Sequence, residues 1–234
     1  MYDIKQTDVS YVFHSSVTFT NGHKSTFQKI EHVQIKKTTN GKYEFKMIGS
    51  DEELLNGKEP EEFDAIVLEF GKVLYPISLQ VSEDGEFLGI NDFENLKEHW
   101  LTRGREIVEH YNSDVLIENE YKRYALSLAS KETFYNILKY NSFYRLLFWN
   151  EDLLKREFVI RDFPACGRQV TFYFNDKNET YTFCDEGSGR ILNGHATIQL
   201  HRDNDGLLNE IKLTAKVEEQ DIGYFTKEIS LKRR

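Results

Sequence analysis

Two Asn-Gly pairs, Asn21-Gly22 and Asn40-Gly41, each sit between stretches in which apolar and polar residues alternate. Asn-Gly tolerates positive φ at both central positions of a tight turn, and alternation is the period of a half-buried strand. Together they demand antiparallel hairpins. Before the first pair, "VSYVFHSSVTFT" puts Val9, Tyr11 and Phe13 on one face, then Val17 and Phe19 beyond two serines. That arrangement predicts a bend or bulge at Ser15 and Ser16. Val33 and Ile35 lead into the second pair, and Tyr43 and Phe45 lead out of it. The acidic, turn-rich "SDEELLNGKEPEEFDA" reads as a surface excursion with one helical turn. The following "AIVLEFGKVLYPISLQVSEDGEFLGI" reads as a return to strand, with Pro76 at an edge or bulge.

The period then changes. "NDFENLKEHWLTRGREIVEHY" offers Asn91 or Asp92 as an N-cap and places Phe93, Leu96, Trp100, Ile107 and Tyr111 on one helical stripe. Ile117, Tyr121, Tyr124 and Leu128 keep helical spacing. Shorter helices follow, capped by Ser130 and Ser142. From Arg156 the strand pattern resumes to the end.

One motif recurs. "ISLQVSEDGEFLGI" at 77–90 and "IQLHRDNDGLLNEI" at 198–211 align Ile77 with Ile198, Leu79 with Leu200, Asp84-Gly85 with Asp205-Gly206, Phe87 with Leu208 and Ile90 with Ile211. An internal duplication and plain hairpin chemistry both account for this. The expected fold is α+β, with antiparallel β units at 1–91 and 151–234 joined and covered by a helical segment at 92–150. The sheets are expected to be curved or half-barrel-like, and the whole is compatible with one compact domain. The outline resembles the curved-sheet-plus-helix half-barrels of lipoprotein carriers; no motif carries the likeness, and no family is assigned.

Charge narrows the function classes. The chain of 234 residues carries a net charge of −9, which on average repels nucleic acid and anionic lipid. A composition 39% hydrophobic and 29% charged suits a globular fold rather than a disordered one. No apolar run approaches the roughly 18 residues of a membrane span, and the start lacks the basic and apolar regions of a signal peptide. A soluble cytoplasmic protein with free thiols at Cys166 and Cys184 is therefore the expectation, although the hairpin between those cysteines makes a disulfide conceivable.

No linear motif for catalysis or a cofactor stands out, and neither a cofactor nor a metal is expected. His99, Arg103, Glu106 and His110 form a continuous polar stripe beside the apolar one. His99 and His110 lie three turns apart, about 16 Å, too far to share an ion, and two ligands are not a site. The stripe reads first as a solvated helix face. Gly187-Ser188-Gly189 and Gly194 lead into a strand rather than a helix, so no phosphate loop is built there. The aromatic run "KETFYNILKYNSFYRLLFWN" reads mainly as packing for the sheet, and secondarily as a cavity or partner-binding face. The resulting functional expectation is a non-catalytic protein that holds a protein partner or a small apolar ligand. Its alternative is an enzyme whose residues converge from separate strands.

Overall fold

A computed structural model describes residues 4, 6–148, 157–161, 163–164, 168–175, 180–185 and 190–234, the side chains of 184 and 185 excepted. Among them the alternating stretches pair into one antiparallel sheet of eleven strands. β1 (Gln6–Phe19), β2 (Lys24–Lys37), β3 (Tyr43–Leu55), β4 (Ile77–Val81) and β5 (Phe87–Ile90) step outward from the centre to one edge. From the opposite edge, β6 (Phe158–Arg161), β7 (Gln169–Asn175), β8 (Thr180–Asp185), β9 (Ile191–Arg202), β10 (Leu208–Glu219) and β11 (Gly223–Arg233) step back inward. β1 and β11 are hydrogen-bonded neighbours, so the two expected β units are halves of a single sheet.

The hairpins share one closure. Phe19, Thr38, Ser82 and Asp203 accept from the N–H of Gly22, Gly41, Gly85 and Gly206 at 2.9, 3.1, 3.1 and 3.0 Å. Those glycines have φ of 83°, 84°, 86° and 80°, while Asn21, Asn40, Asp84 and Asp205 keep negative φ. This is a type I turn closed by a left-handed glycine, not the two-residue turn with positive φ at both positions that Asn-Gly predicts. The preceding Asn or Asp serves differently. Asn21 Oδ1 accepts from His23 N–H and Asp205 Oδ1 from Leu207 N–H, both at 2.9 Å, which secures the exit from the turn. The likeness between 77–90 and 198–211 is thus shared by two further hairpins. Beyond the turn the two stretches differ: β4 and β5 have 5 and 4 residues at an edge, whereas β9 and β10 have 12 each inside the sheet.

Two other expectations change. Pairing of β1 with β2 is unbroken from Gln6 to Thr18, with no bulge at the serines. Odd-numbered residues simply stay on one face from Val9 to Phe19. "SDEELL" completes β3, and the stretch from Ala65 expected as strand is helix α1 (Glu62–Lys72). Its apolar run is short, so periodicity alone does not decide. Ile66, Phe70 and Val73 fall at i, i+4 and i+7, and the core receives that stripe.

α2 (Phe93–His110), α3 (Val115–Ser127), α4 (Lys131–Tyr140) and α5 (Ser142–Leu147) fill the middle. Ser130 caps α4 by accepting from Thr133 N–H at 3.0 Å, and Asn141, one residue before Ser142, caps α5 by accepting from Phe143 N–H at 3.0 Å. Asp92 opens α2 with φ 48° and no side-chain cap bond. The expected α2 stripe is inside: Trp100 is fully buried, donates Nε1–H to the Phe70 carbonyl at 3.0 Å and stacks on Tyr121 and Tyr124.

α4 fixes the shape of the sheet. It packs against both edge strands, β5 and β6. Tyr135 stacks on Phe87 at 4.9 Å on one side, while Arg161 of β6 lies over Tyr140 at 5.6 Å and bridges to Asn141 on the other. Ten inter-strand spacings in a flat sheet would separate those edges by about 48 Å. A helix of 10 residues is only about 15 Å long. The sheet is therefore strongly curved, and its helix-covered face is the concave one.

Candidate functional site

The core-facing series of the three central strands is interrupted by polar residues over a span of successive levels. On β1 the inward series runs Phe13, Ser15, Val17. On β2 it runs Phe27, Lys29, Glu31, Val33. On β11 it runs Phe225, Lys227, Ile229. Register sets them at successive levels: Lys227 beside Val17, Ser15 beside Phe27 and Ile229, Lys29 beside Phe13, and Glu31 beside Tyr11. A serine, two lysines and a glutamate thus share the inner side of the sheet as two pairs, Ser15 with Lys227 and Lys29 with Glu31. Alternating strands normally reserve that side for apolar residues.

Helices and a loop close the space above them. Leu68 and Gly71 of α1, Leu74 and Tyr75 just after it, Ile137 of α4, and Phe143 and Tyr144 of α5 complete a cavity of about 440 Å³. Its walls are largely apolar and aromatic, with polar groups among them, as in small-molecule sites.

The polar groups divide unequally. Lys29 Nζ donates to Glu31 Oε2 at 2.7 Å, and the Tyr75 hydroxyl donates to the same oxygen at 2.9 Å. Lys29 also lies over the Phe143 ring at 4.5 Å. Glu31 is fully buried, and its Oε1 has no hydrogen-bond partner among the described residues. Burial pushes the Glu31 carboxyl above the usual carboxylate range, against the pull of Lys29. Burial likewise raises the Tyr75 and Tyr144 hydroxyls. At the α1 side, Glu53 meets Lys72 at 3.0 Å. Lys227 differs from all of these. Its Nζ donates to Ser15 Oγ at 2.8 Å, and no carboxylate lies within ion-pair distance among the described residues. Burial alone lowers its pKa.

The polar stripe expected on α2 lies elsewhere. His99, Arg103, Glu106 and His110 are all exposed, and Arg103 pairs with Glu106 one turn away. They do not converge with the cavity. Cys166, the Gly187-Ser188-Gly189 loop and the turn at 176–178 lie outside the described residues, as does the Cys184 side chain. Among the described residues no three His, Cys, Asp or Glu side chains gather closely enough to hold a metal ion. A second hollow of about 390 Å³ on the convex face is lined by Thr18, His195, Lys216, Glu218 and Tyr224, whose histidine, lysine and tyrosine are solvent-exposed.

Lys29, Glu31, Ser15 and Lys227 are absent from the sequence-derived candidates. Their signal was a polar residue in an inward-facing slot of an otherwise apolar alternation.

No family model matches the chain, and no curated protein matches it. Among solved structures, one concerned with lipid–protein interactions in lipovitellin aligns with 100% of this chain at 10% identity and a TM-score of 0.41. The chain spans 25% of that structure's chain, and a likeness of this size carries no functional weight. No helix among the described residues is long and apolar enough to cross a membrane.

Proposed function

We propose that the protein is a non-catalytic binding protein that takes a small, largely apolar molecule between its curved sheet and helices α1, α4 and α5. In this reading the sheet works as a half-barrel and the aromatic helical segment as its cover. The supporting observation is the cavity itself: apolar walls drawn from both strands and helices, with polar groups among them. Lys29 and Lys227, on the two strands that flank β1, face this cavity where a packed core would carry apolar residues.

The test uses N-phenyl-1-naphthylamine, a neutral fluorophore that brightens in apolar surroundings. Wild type is expected to bind it saturably, one per chain. Ile137→Trp, which fills the cavity from α4, is expected to abolish that binding while leaving the circular dichroism spectrum unchanged. Undiminished binding by a folded Ile137→Trp variant would overturn the reading.

A further inference from the structure

We infer that the molecule held in this cavity is an amphiphile with an anionic head, carboxylate or phosphate, which Lys227 pairs with directly. This rests on the proposal that the cavity is a binding site, and adds the chemistry of the ligand.

The inference follows from where the charges stand. Lys29, the other lysine lining this cavity, meets Glu31, and Glu53, the carboxylate lining it, is paired with Lys72 outside it. Lys227 meets a neutral hydroxyl. Of the two lysines lining the cavity, Lys227 is thus the one with no carboxylate within ion-pair distance among the described residues. A half-buried cation without a counter-ion loses hydration that one neutral hydroxyl only partly replaces, and burial duly lowers its pKa. A chain selected only for packing would place an apolar residue between Phe225 and Ile229. An anionic head at Lys227 supplies the missing charge, and Ser15 Oγ beside it offers a second donor. The apolar remainder then lies against Phe13, Phe27, Phe143 and Ile229, which share the cavity with Lys227. The overall negative charge of the chain does not oppose this, because charges in solvent beyond about 10 Å are screened at ordinary salt while the buried lysine is not.

The experiment compares dodecanoate, dodecyl phosphate and dodecanol, each displacing the neutral fluorophore from wild type, Lys227→Met and Lys227→Arg. Wild type is expected to bind at least one anion roughly tenfold or more tighter than dodecanol, the size of one charge-assisted hydrogen bond. Lys227→Met is expected to lose that preference while still binding dodecanol, and Lys227→Arg to keep it. Whether dodecanoate or dodecyl phosphate is the tighter identifies the head group. An anion preference that survives in Lys227→Met, or that wild type never shows, overturns the inference and leaves the cavity reading intact. Failure of all three compounds and of the fluorophore to bind wild type overturns both. Unfolding curves of the three proteins keep a loss of fold from passing as a loss of binding.

Discussion

Two lysines on the strands that flank β1 illustrate how far a residue's effect depends on its partners. Lys227 is half-buried with no carboxylate within ion-pair distance among the described residues, so at neutral pH its charge burdens the folded state and not the unfolded one. That burden is complete below the lowered folded-state pKa and fades as pH rises through it toward the ordinary value of 10.5. Lys227→Met keeps the length of the side chain and removes the charge. It is expected to stabilise the empty protein by about 1 kcal/mol at pH 7, with the gain shrinking at higher pH. Urea unfolding at pH 7 and near the ordinary lysine pKa measures this, and a less stable variant at pH 7 would contradict it. Lys29→Met should act in the opposite direction, because it strands the fully buried Glu31. A loss of about 3 kcal/mol is expected. Acidification should partly restore it, since burial already holds the Glu31 carboxyl above its usual range and protonation removes the unpaired charge. Each of these residues was legible within its own strand, because 27, 29, 31, 33 and 35 share a face, as do 225, 227 and 229. The Asn21-Gly22 turn made β1 and β2 neighbours, but that β11 lies on the other side of β1 was not legible. No local signal pairs β1 with β11, and without that pairing the polar residues remain isolated irregularities.

At the scale of elements, turns and helix stripes were the readable parts. The glycine positions located every hairpin discussed above, although the turn type followed from a three-residue connection that sequence alone does not distinguish. The α2 stripe and the Ser130 cap matched their expected residues. α1 did not, because "AIVLEF" satisfies a buried strand and a buried helix equally, and the contacts of Phe70 with Trp100 that accompany the helix are not local in sequence. The common turn makes a prediction of its own. Gly85→Val and Gly206→Val each force a branched residue to φ of 86° and 80°, and each is expected to cost about 1 kcal/mol or more, by comparable amounts. Asparagine, which enters the left-handed region more readily, should cost less at both places. Denaturation midpoints decide, and wild-type midpoints for both valine variants would mean that these turns do not require left-handed glycine.

For the whole molecule, the curvature imposed by α4 and the central pairing of β1 with β11 make the two halves of the sheet mutually dependent. We therefore expect one cooperative unfolding transition, seen alike by tryptophan fluorescence and circular dichroism, rather than one for each half. Two separated transitions would instead assign residues 1–91 and 151–234 to independent domains. Leu138→Ala, which removes a buried side chain from the helix that touches both edges, should lower the stability of the entire fold by about 2–4 kcal/mol without splitting the transition. The β1–β11 pairing also sets an order of events. Ser15 and Lys227 are separated by 212 residues, so the hydrogen bond between them forms only after the last strand has found the first. Such non-local closure is slow and leaves two unpaired strand edges exposed while it is pending. Lys227 arrives with that final strand. Partly folded chains therefore present the aromatic cover and the other half of the sheet but not Lys227, so the proposed anion capture would be a property of the completed fold alone.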